Sequence, residues 1–275
     1  VTLVIAKAGA DGKIKVTNRG TGGVRVTLDL HGHTLSHAAT TTGGLYTPIS
    51  LVRPADRTTI PAWGNLQLET SGISGLPATG VRAVALTVIL KSPSTGTMRV
   101  YAAGDVFPAE ANADYAPNTT TQFFTIVKPG PDGRINLHNL GYDGVEISVD
   151  VIGYYTSAHR GSTLTAIRPA PVAGGVTIAA GGTRVLRLAG VAGIPASGIS
   201  AAGLTIAAKG TASGAVSIVP QSGPATARVV AYALGKDTTG FTTAALRPDG
   251  TVVLKNEGSA PVTVSVDAHA YFTTR

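Results

Sequence analysis

One sequence pattern occurs three times in this chain, and the repetition limits the folds available to it. The pattern opens with Asp-Gly, continues for six residues to an Asn, and after a short turn enters a long apolar stretch. Its copies begin at Asp11, Asp132 and Asp249. Repetition of this kind indicates tandem modules, each a separate structural unit, and argues against one large fold.

The spacing of the copies predicts where the modules lie. Successive copies are offset by 121 and 117 residues, and a second landmark at Gly75–Gly80 recurs at Gly193–Gly198, offset by 118. We therefore expect one module over residues 45–157 and a second over residues 164–275, with Ser/Thr/Gly-rich linkers at 36–44 and 157–163. Residues 1–34 correspond to the C-terminal hairpin of a truncated or strand-exchanged repeat. Since the chain starts partway through a repeat, we expect it to be a mature or trimmed fragment of something longer.

Alternation of apolar and polar residues predicts antiparallel strands in each module. Over Val145–Tyr155, valine and isoleucine alternate with Glu146, Ser148 and Asp150, the pattern of a half-buried strand. The 35 glycines and 16 prolines suit tight turns, and no stretch has a helical period. We predict an all-β chain of tandem antiparallel β-sandwich modules, of jelly-roll or immunoglobulin-like type. In the first module the predicted strands are Ile49–Val52, Asn65–Glu69, Val81–Leu90, Thr97–Ala102, Gln122–Lys128, Arg134–Asn139 and Val145–Tyr155.

Composition excludes several classes of function. The chain has no cysteine, so it has neither disulfides nor thiolate metal sites. The net charge is +7, but lysines and arginines are scattered singly, without the basic stripe and interleaved aromatics of a nucleic-acid-binding surface. Such scattered charge is typical of a protein kept soluble by its surface, and a diffuse positive field can also attract anionic polymers as partners. No membrane-spanning stretch, signal peptide or lipidation motif is recognised, and nothing indicates a cofactor.

Two polar positions repeat in all three copies. Aspartate occurs in the middle of the final strand, between apolar neighbours, which favours a structural hydrogen-bonding role, with a repeated ligand-binding carboxylate as the alternative; the residues are Asp29, Asp150 and Asp267. Asparagine ends the preceding strand, where its side chain commonly stabilises a turn by bonding to the backbone; the residues are Asn18, Asn139 and Asn256.

The histidines His31, His33 and His37 form a small cluster that could bind a metal. His31 and His33 share one strand face and could reach the same ion. The position of His31 is occupied by Ile152 and His269 in the other copies, so the pair is not repeated. We interpret these histidines as surface or packing residues and predict no metal site.

Aromatic residues of the first module are the best candidates for ligand contact. Trp63, the only tryptophan, lies in a loop, and Tyr101, Phe107 and Tyr115 lie on or near loops. A tryptophan in a loop can stack on the face of a sugar, and it can equally cover the edge of a module. The second module has Ala-Gly-Gly at 180–182 where the first has Trp63, so we predict ligand binding by these four residues in the first module alone.

Catalytic signatures are lacking. The sequence contains neither a Gly-x-Ser-x-Gly nor a His-Glu-x-x-His motif. Asp105, Glu110 and Asp114 fall in one long loop and could serve a glycosidase or a Ca²⁺ site. The equivalent loop at 221–228 has no acid, and the Asp-x-Asp spacing of calcium loops is absent. We predict no catalytic residues and no enzymatic activity.

The motifs together resemble a family of tandem β repeat modules in secreted proteins of actinomycetes, Streptomyces especially. The family begins with an Arg-Leu-Leu-Asp-Thr-Arg-like segment and closes with Val-Asp-Val-x-Gly-Tyr-Tyr/Phe. Here the resemblance is carried by Leu51–Arg57, Gly75–Val81, Gly133–Asn139 and Val149–Tyr155. The second module departs from it at Pro171-Val172 and at Ala268–Phe272. The resemblance implies an extracellular accessory module, often appended to hydrolases, with no established ligand.

These observations lead to one functional hypothesis and two alternatives. We expect a secreted, non-catalytic module that attaches to cell wall or polysaccharide. The alternatives are a structural protein that self-assembles, or forms the stalk of a surface complex, by strand exchange, and an appendage of a secreted hydrolase. The N-terminal hairpin must pair with an upstream segment, the adjacent module or another copy, because an isolated hairpin is marginally stable.

Overall fold

The computed structural model describes residues 3–18, 20–28, 30, 32–34, 44–157, 161–221 and 226–274. These residues contain sixteen β-strands in two consecutive sets of eight. In this part of the chain, no helix has the length and apolar character needed to cross a membrane. The predicted all-β fold class is confirmed.

Eight strands form the first module. They are β1 (Leu45–Ile60), β2 (Asn65–Glu69), β3 (Val81–Lys91), β4 (Gly96–Ala102), β5 (Ala113–Tyr115), β6 (Thr121–Val127), β7 (Arg134–Asn139) and β8 (Val145–Thr156). Two predicted strands match to the residue, and β3 and β8 match within one. Prediction missed β5, since three residues are too few to show alternation, and most of the long bulged β1.

The second module repeats the same order of strands. They are β9 (Ser162–Ile178), β10 (Thr183–Arg187), β11 (Ile199–Gly210), β12 (Gly214–Val219), β13 (Ala227–Tyr232), β14 (Thr238–Ala245), β15 (Thr251–Asn256) and β16 (Val262–Thr274). β9 begins inside the predicted linker at 157–163. Of the linker predicted at 36–44, only Gly44 lies among the described residues.

Each module is a jelly roll. In the first, the strands are ordered β1-β8-β3-β6 in one sheet and β2-β7-β4-β5 in the other; in the second, the orders are β9-β16-β11-β14 and β10-β15-β12-β13. All pairs are antiparallel. This alternation of early and late strands within both sheets defines an eight-stranded double-sheet jelly roll rather than an immunoglobulin-like sandwich.

The core of each module lies between its two sheets. Along β8, Val145, Ile147, Val149 and Val151 are fully buried in the first module's core, as the alternation predicted. β3 lies between β8 and β6 and is buried over most of its length, which explains its continuous apolar sequence. The second module has its own core, built on β11, β15 and β16.

The two modules contact each other directly, in addition to the linker that connects them. A single residue pair, Tyr46 with Ser162, connects β1 to β9 and makes one eight-stranded sheet from the two halves. A third apolar cluster contains residues of both modules, including Phe124 and Phe241, whose rings lie 5.4 Å apart. The buried Tyr46 hydroxyl hydrogen-bonds the Thr243 hydroxyl at 2.7 Å. The modules therefore share a packed interface.

His269 lies half-buried near this interface. Its protonation links the stability of the fold to pH. Its Nε2 lies 2.8 Å from the Thr205 hydroxyl, and its Nδ1 has no hydrogen-bond partner among the described residues. Burial lowers the pKa of His269, although the nearby Asp267 carboxylate opposes that shift. The unfolded chain therefore takes up a proton at higher pH than the folded chain does, so acidification below about pH 6.5 destabilises the fold.

We expect His269→Ile to weaken this pH dependence, because the first module carries buried Ile152 at the same position. The melting temperature is measured at about pH 7.5 and about pH 5.5, where histidine changes its charge. The variant should lose less on acidification than the parent chain. An equal loss in both proteins would contradict a role for His269.

The N-terminal segment, residues 3–34, has no strand among its described residues. Leu3 and Ile5 pack against the shared apolar cluster, whereas Val24, Val26 and Leu28 are exposed. Of the three partners expected for this hairpin, the adjacent module forms no strand ladder with it among the described residues. Asp29 and His31 lie outside them.

Candidate functional site

The outward face of the β2-β7-β4-β5 sheet carries polar and aromatic side chains. Antiparallel register places Arg99 beside His138, which in turn faces Asn65. The next rung pairs Tyr101 with Asn136. The intervening residues of β4 and β7 point into the core, so these side chains point outward. We call Arg99, Tyr101, Phe107 and His138 the aromatic face.

A loop between β4 and β5 folds back over this face and places Phe107 there. The Phe107 ring lies 4.8 Å from the His138 ring and 5.7 Å from the Tyr101 ring, both edge to face. The Arg99 guanidinium lies 4.5 Å from the Phe107 ring centre, within range of a cation–π contact, and donates a hydrogen bond to the Pro108 carbonyl. The ring is thus held from one side while 42% of the residue stays exposed.

Trp63 and Tyr142 form a second aromatic group at the end of the same sheet. Trp63 precedes β2 and Tyr142 follows β7, and their ring centroids are 5.3 Å apart with an interplanar angle of 89°. The Trp63 amide donates to the Gly141 carbonyl at 3.3 Å. The residues are 53% and 77% exposed. We call Trp63 and Tyr142 the edge pair.

The backbone at Trp63 is in the left-handed region, with φ of 55°. In the second module the same turn has Gly181, with φ of 65°. The turns correspond because Gly64 donates to Pro61, and Gly182 to Ala179, in the same way. A left-handed residue with a side chain costs about 1–2 kcal/mol, which glycine avoids. An exposed tryptophan therefore occupies a position at which it weakens the fold.

Tyr115 belongs to the core and not to the surface, which corrects the prediction that it contacts a ligand. It is buried, and its hydroxyl donates to the Asn139 side-chain oxygen. In the second module Tyr232 donates to Asn256 in the same way. Sequence reasoning failed here because a strand of three residues gives no sign of which side faces inward.

Asn139 holds together three parts of the first module. Its side-chain nitrogen donates to the carbonyls of Ile60, Pro61 and Asp143, and its oxygen accepts from the Gly141 amide as well as from Tyr115. Asn256 has the equivalent set of partners in the second module. Among the described residues, Asn18 has two partners, Gly22 and Gly20, and both are local.

The repeated aspartate has different surroundings in the two modules. Asp150 is fully buried and accepts hydrogen bonds from Arg53 at 2.6 and 3.1 Å. Burial raises the pKa of Asp150, and Arg53 opposes that rise. Asp267 is exposed, and no basic side chain of the described residues forms an ion pair with it. The expectation of one structural role in every copy is therefore wrong for Asp267.

The remaining candidates for catalysis or metal binding are acidic and histidine residues, and those that the structure describes do not form a common site. Asp105, Glu110 and Asp114 are exposed in and beside the β4–β5 loop. His33 is exposed, and His37, like His31, lies outside the described residues. Across the part of the chain that is described, no three histidine or acidic side chains are grouped so as to hold a metal ion.

The second module lacks the aromatic groups. Register places Ser217 beside Lys255 where the first module has Arg99 beside His138, and Val219 where it has Tyr101. The loop at 220–226 contains no aromatic residue, and Ser259 replaces Tyr142. The two jelly rolls thus share a backbone and differ in their outer surfaces.

Sequence reasoning identified Trp63, Tyr101 and Phe107, and it missed Tyr142, His138 and Arg99. The missed residues lie within or next to the repeated motif: His138 directly precedes the repeated Asn139, and Tyr142 lies in the turn that follows. A comparison of the copies position by position would have found them, because the second module has Lys255 and Ser259 there.

Comparison with known proteins gives distant similarities to solved structures. No protein-family model matches the chain, and no curated protein matches it. Among solved structures, the exported protein XepA of PBSX aligns over 90% of this chain and 100% of its own, with 10% identity and a TM-score of 0.26. The tandem CBM22 domains of Paenibacillus barcinonensis Xyn10C align over 86% and 97%, with 8% identity and a TM-score of 0.23.

A third structure, the major capsid protein P2 of bacteriophage PM2, aligns over 82% of this chain and 97% of its own, with 11% identity and a TM-score of 0.22. At TM-scores this low, none of these similarities carries an argument about function. The jelly-roll assignment rests on the strand order of each module.

Proposed function

We propose that this chain is a non-catalytic, extracellular binding protein whose first module attaches to a polysaccharide or a cell-wall glycan. The single observation that carries the proposal is the edge pair: two exposed rings in contact, one of them on a left-handed residue where the second module has glycine. Strained backbone is enriched at functional sites, and at Trp63 it coincides with an exposed aromatic ring.

The aromatic face extends this binding surface. Tyr101 and His138 lie on the same sheet as the edge pair, Phe107 covers them from the β4–β5 loop, and the Asn65 amide, which donates to buried Asn136, lies beside His138. Flat rings bind the apolar faces of sugars, while amides and the Arg99 guanidinium bind hydroxyl or acidic groups. Such a surface fits an extended chain of sugars better than a small molecule, since it is open along the sheet.

The extracellular location and the lack of catalysis belong to the proposal. They are supported by the motif resemblance to secreted actinomycete modules and by the absence of catalytic signatures in the sequence. The net charge of +7 favours acidic wall polymers and adds a component of binding that depends on salt.

The proposal is tested by sedimentation with insoluble polysaccharides and with Gram-positive cell wall, at low and at high salt. Retention that survives high salt and is competed by a soluble sugar supports binding by the rings. Retention lost at high salt indicates binding by charge alone, and the absence of retention on every polymer contradicts the proposal.

The variant Trp63→Gly distinguishes an effect on binding from an effect on the stability of the fold. We expect retention to fall at least tenfold, because the edge pair loses its larger ring, a loss of about 1.4 kcal/mol or more. The stability of the first module should not fall, because glycine relieves the left-handed strain. Retention is measured by sedimentation and stability by thermal unfolding.

The matched control for Trp63→Gly is Val185→Ala, which removes an exposed apolar side chain from the equivalent sheet of the second module. This control should leave retention unchanged. Equal retention by Trp63→Gly and the parent chain would remove the edge pair from the binding site.

A further inference from the structure

We propose that the N-terminal segment is an interaction surface: the closing three strands of a third jelly roll, equivalent to β6, β7 and β8. Its partner is a five-stranded unit of the β1–β5 type. The segment matches the first module at a constant offset of 121 residues, which aligns Leu3 with Phe124, Val16 with Leu137 and Leu28 with Val149.

The turn before the β7 equivalent is already formed in the segment. The Asp11 carboxylate accepts a hydrogen bond from the Lys13 amide at 3.2 Å, and Asp132 accepts one from Arg134 at 3.1 Å in the first module. Gly12 has φ of 74° here, as the glycine after Asp132 has φ of 76°. The local backbone therefore matches in geometry as well as in sequence.

The turn before the β8 equivalent is formed as well. Asn18 accepts from the Gly20 amide at 2.8 Å and donates to the Gly22 carbonyl at 2.6 Å. Asn139 bonds the residues two and four ahead of it at 2.9 Å each, and Asn256 does so at 2.8 Å each. Only the partners that β1 and β5 supply in a complete module are missing from Asn18.

Side chains that would lie in the core are left exposed. Val24, Val26 and Leu28 are 61%, 50% and 64% exposed, while Val145, Ile147 and Val149 at the same positions are at most 1% exposed. Together with Val16, the three exposed residues line one open groove. The side chains on the other face of the β6 equivalent are already packed. Leu3 and Ile5 lie against the apolar cluster that the two modules share, as the equivalent residues Phe124 and Ile126 do.

Sheet order identifies the partner. In a complete module β8 lies between β1 and β3, β7 lies between β2 and β4, and β6 lies beside β3. Every neighbour of the three closing strands thus comes from the first half of the module, so the segment cannot complete itself. A second copy does not offer this set of neighbours, because its β1–β4 and β9–β12 strands already pair with its own closing strands.

The connection between the two halves is short in both complete modules, so a partner is best supplied as a tethered half. Only five residues, 116–120, separate β5 from β6, and five residues, 233–237, separate β13 from β14. A β5 strand joined this closely to the β6 equivalent would place the whole first half next to the segment. The effective concentration of a partner tethered this way exceeds that of a free chain.

The test extends the full chain by a copy of its own residues 44–121 joined directly ahead of Val1, which restores the register of the first module. Hydrogen exchange is measured at the amides of Val24, Val26 and Leu28, with and without the extension. We expect exchange to slow at least about 100-fold in the extended chain, as strands of a closed module are protected. Unchanged exchange in the extended chain would overturn the proposal.

Two variants of the extended chain control for misfolding of the added residues. Val26→Asp, at the position of buried Ile147, should abolish the protection, whereas Arg25→Asp, at the position of exposed Glu146, should leave it intact. Sedimentation of the unextended chain provides the second readout, for which we expect a monomer. A dimer that Val26→Asp dissociates would make a second copy the partner and would also overturn the proposal.

Discussion

Replacing Asn139 by alanine is expected to lower the free energy of unfolding of the first module by about 3 kcal/mol, since several buried polar groups lose their partner. The side chain is fully buried and serves five groups from β1, β5 and the β7–β8 turn. Alanine leaves the Tyr115 hydroxyl and the backbone groups around it unpaired. Thermal and urea unfolding of the full chain measure the effect.

Asn18→Ala is the matched control, because it removes the same residue from the same local turn. Asn18 is exposed and makes two of the five bonds, so neither module should lose more than about 0.5 kcal/mol. Asn256→Ala should destabilise the second module as Asn139→Ala does the first. If Asn139→Ala costs no more than Asn18→Ala, the asparagine stabilises only its turn and does not link the strands.

Replacing Arg53 by alanine is expected to cost about 2 kcal/mol, because it leaves the Asp150 carboxylate buried without its partner. The value lies below that for fully buried pairs, since one third of the Arg53 side chain is exposed and water screens that end. Burial already raises the pKa of Asp150, and removal of the guanidinium raises it further. Denaturant unfolding measures the loss.

The pH dependence of the stability loss in Arg53→Ala follows from the raised pKa of Asp150. A carboxyl whose folded pKa lies above its unfolded pKa favours the folded state at low pH, where it is protonated, and loses this contribution as pH rises through the folded pKa. The deficit of Arg53→Ala should therefore shrink as the pH is lowered towards about 4, the ordinary range of an aspartate.

Arg168→Ala is the control for Arg53→Ala, because Arg168 occupies the equivalent position in β9, where the equivalent Asp267 is exposed. It should change the stability by less than about 0.5 kcal/mol at any pH. Equal effects of the two substitutions would show that the arginines act by packing and not through the buried carboxylate.

Much of the fold was predictable because successive side chains of a strand point to opposite faces. Buried residues therefore recur along the sequence with a period of two. The core positions of β8 and the ends of β2 and β7 follow directly from alternation and from the Pro-Asp-Gly turns. The bulged β1 was underestimated, because its register shifts break the alternation.

The candidate site was only partly predictable. The ring of Trp63 stands out by its rarity, but its partner Tyr142 is distant in sequence and meets it only after β2 and β7 pair. Tyr115 was assigned to the surface because loops and short strands look alike in sequence. The fold turns its ring inward to Asn139.

The repeated motif alone predicts where each module ends and the two strands and turns of its closing hairpin, because these depend on local hydrogen bonds and on which residues are apolar. The environment of each copy depends on what packs against it from elsewhere. One repeated aspartate is buried against Arg53 and another is exposed, and the valines of β8 are buried while their equivalents in the N-terminal segment are open to solvent. Burial is a property of neighbours brought from distant parts of the chain, so tertiary structure decides it.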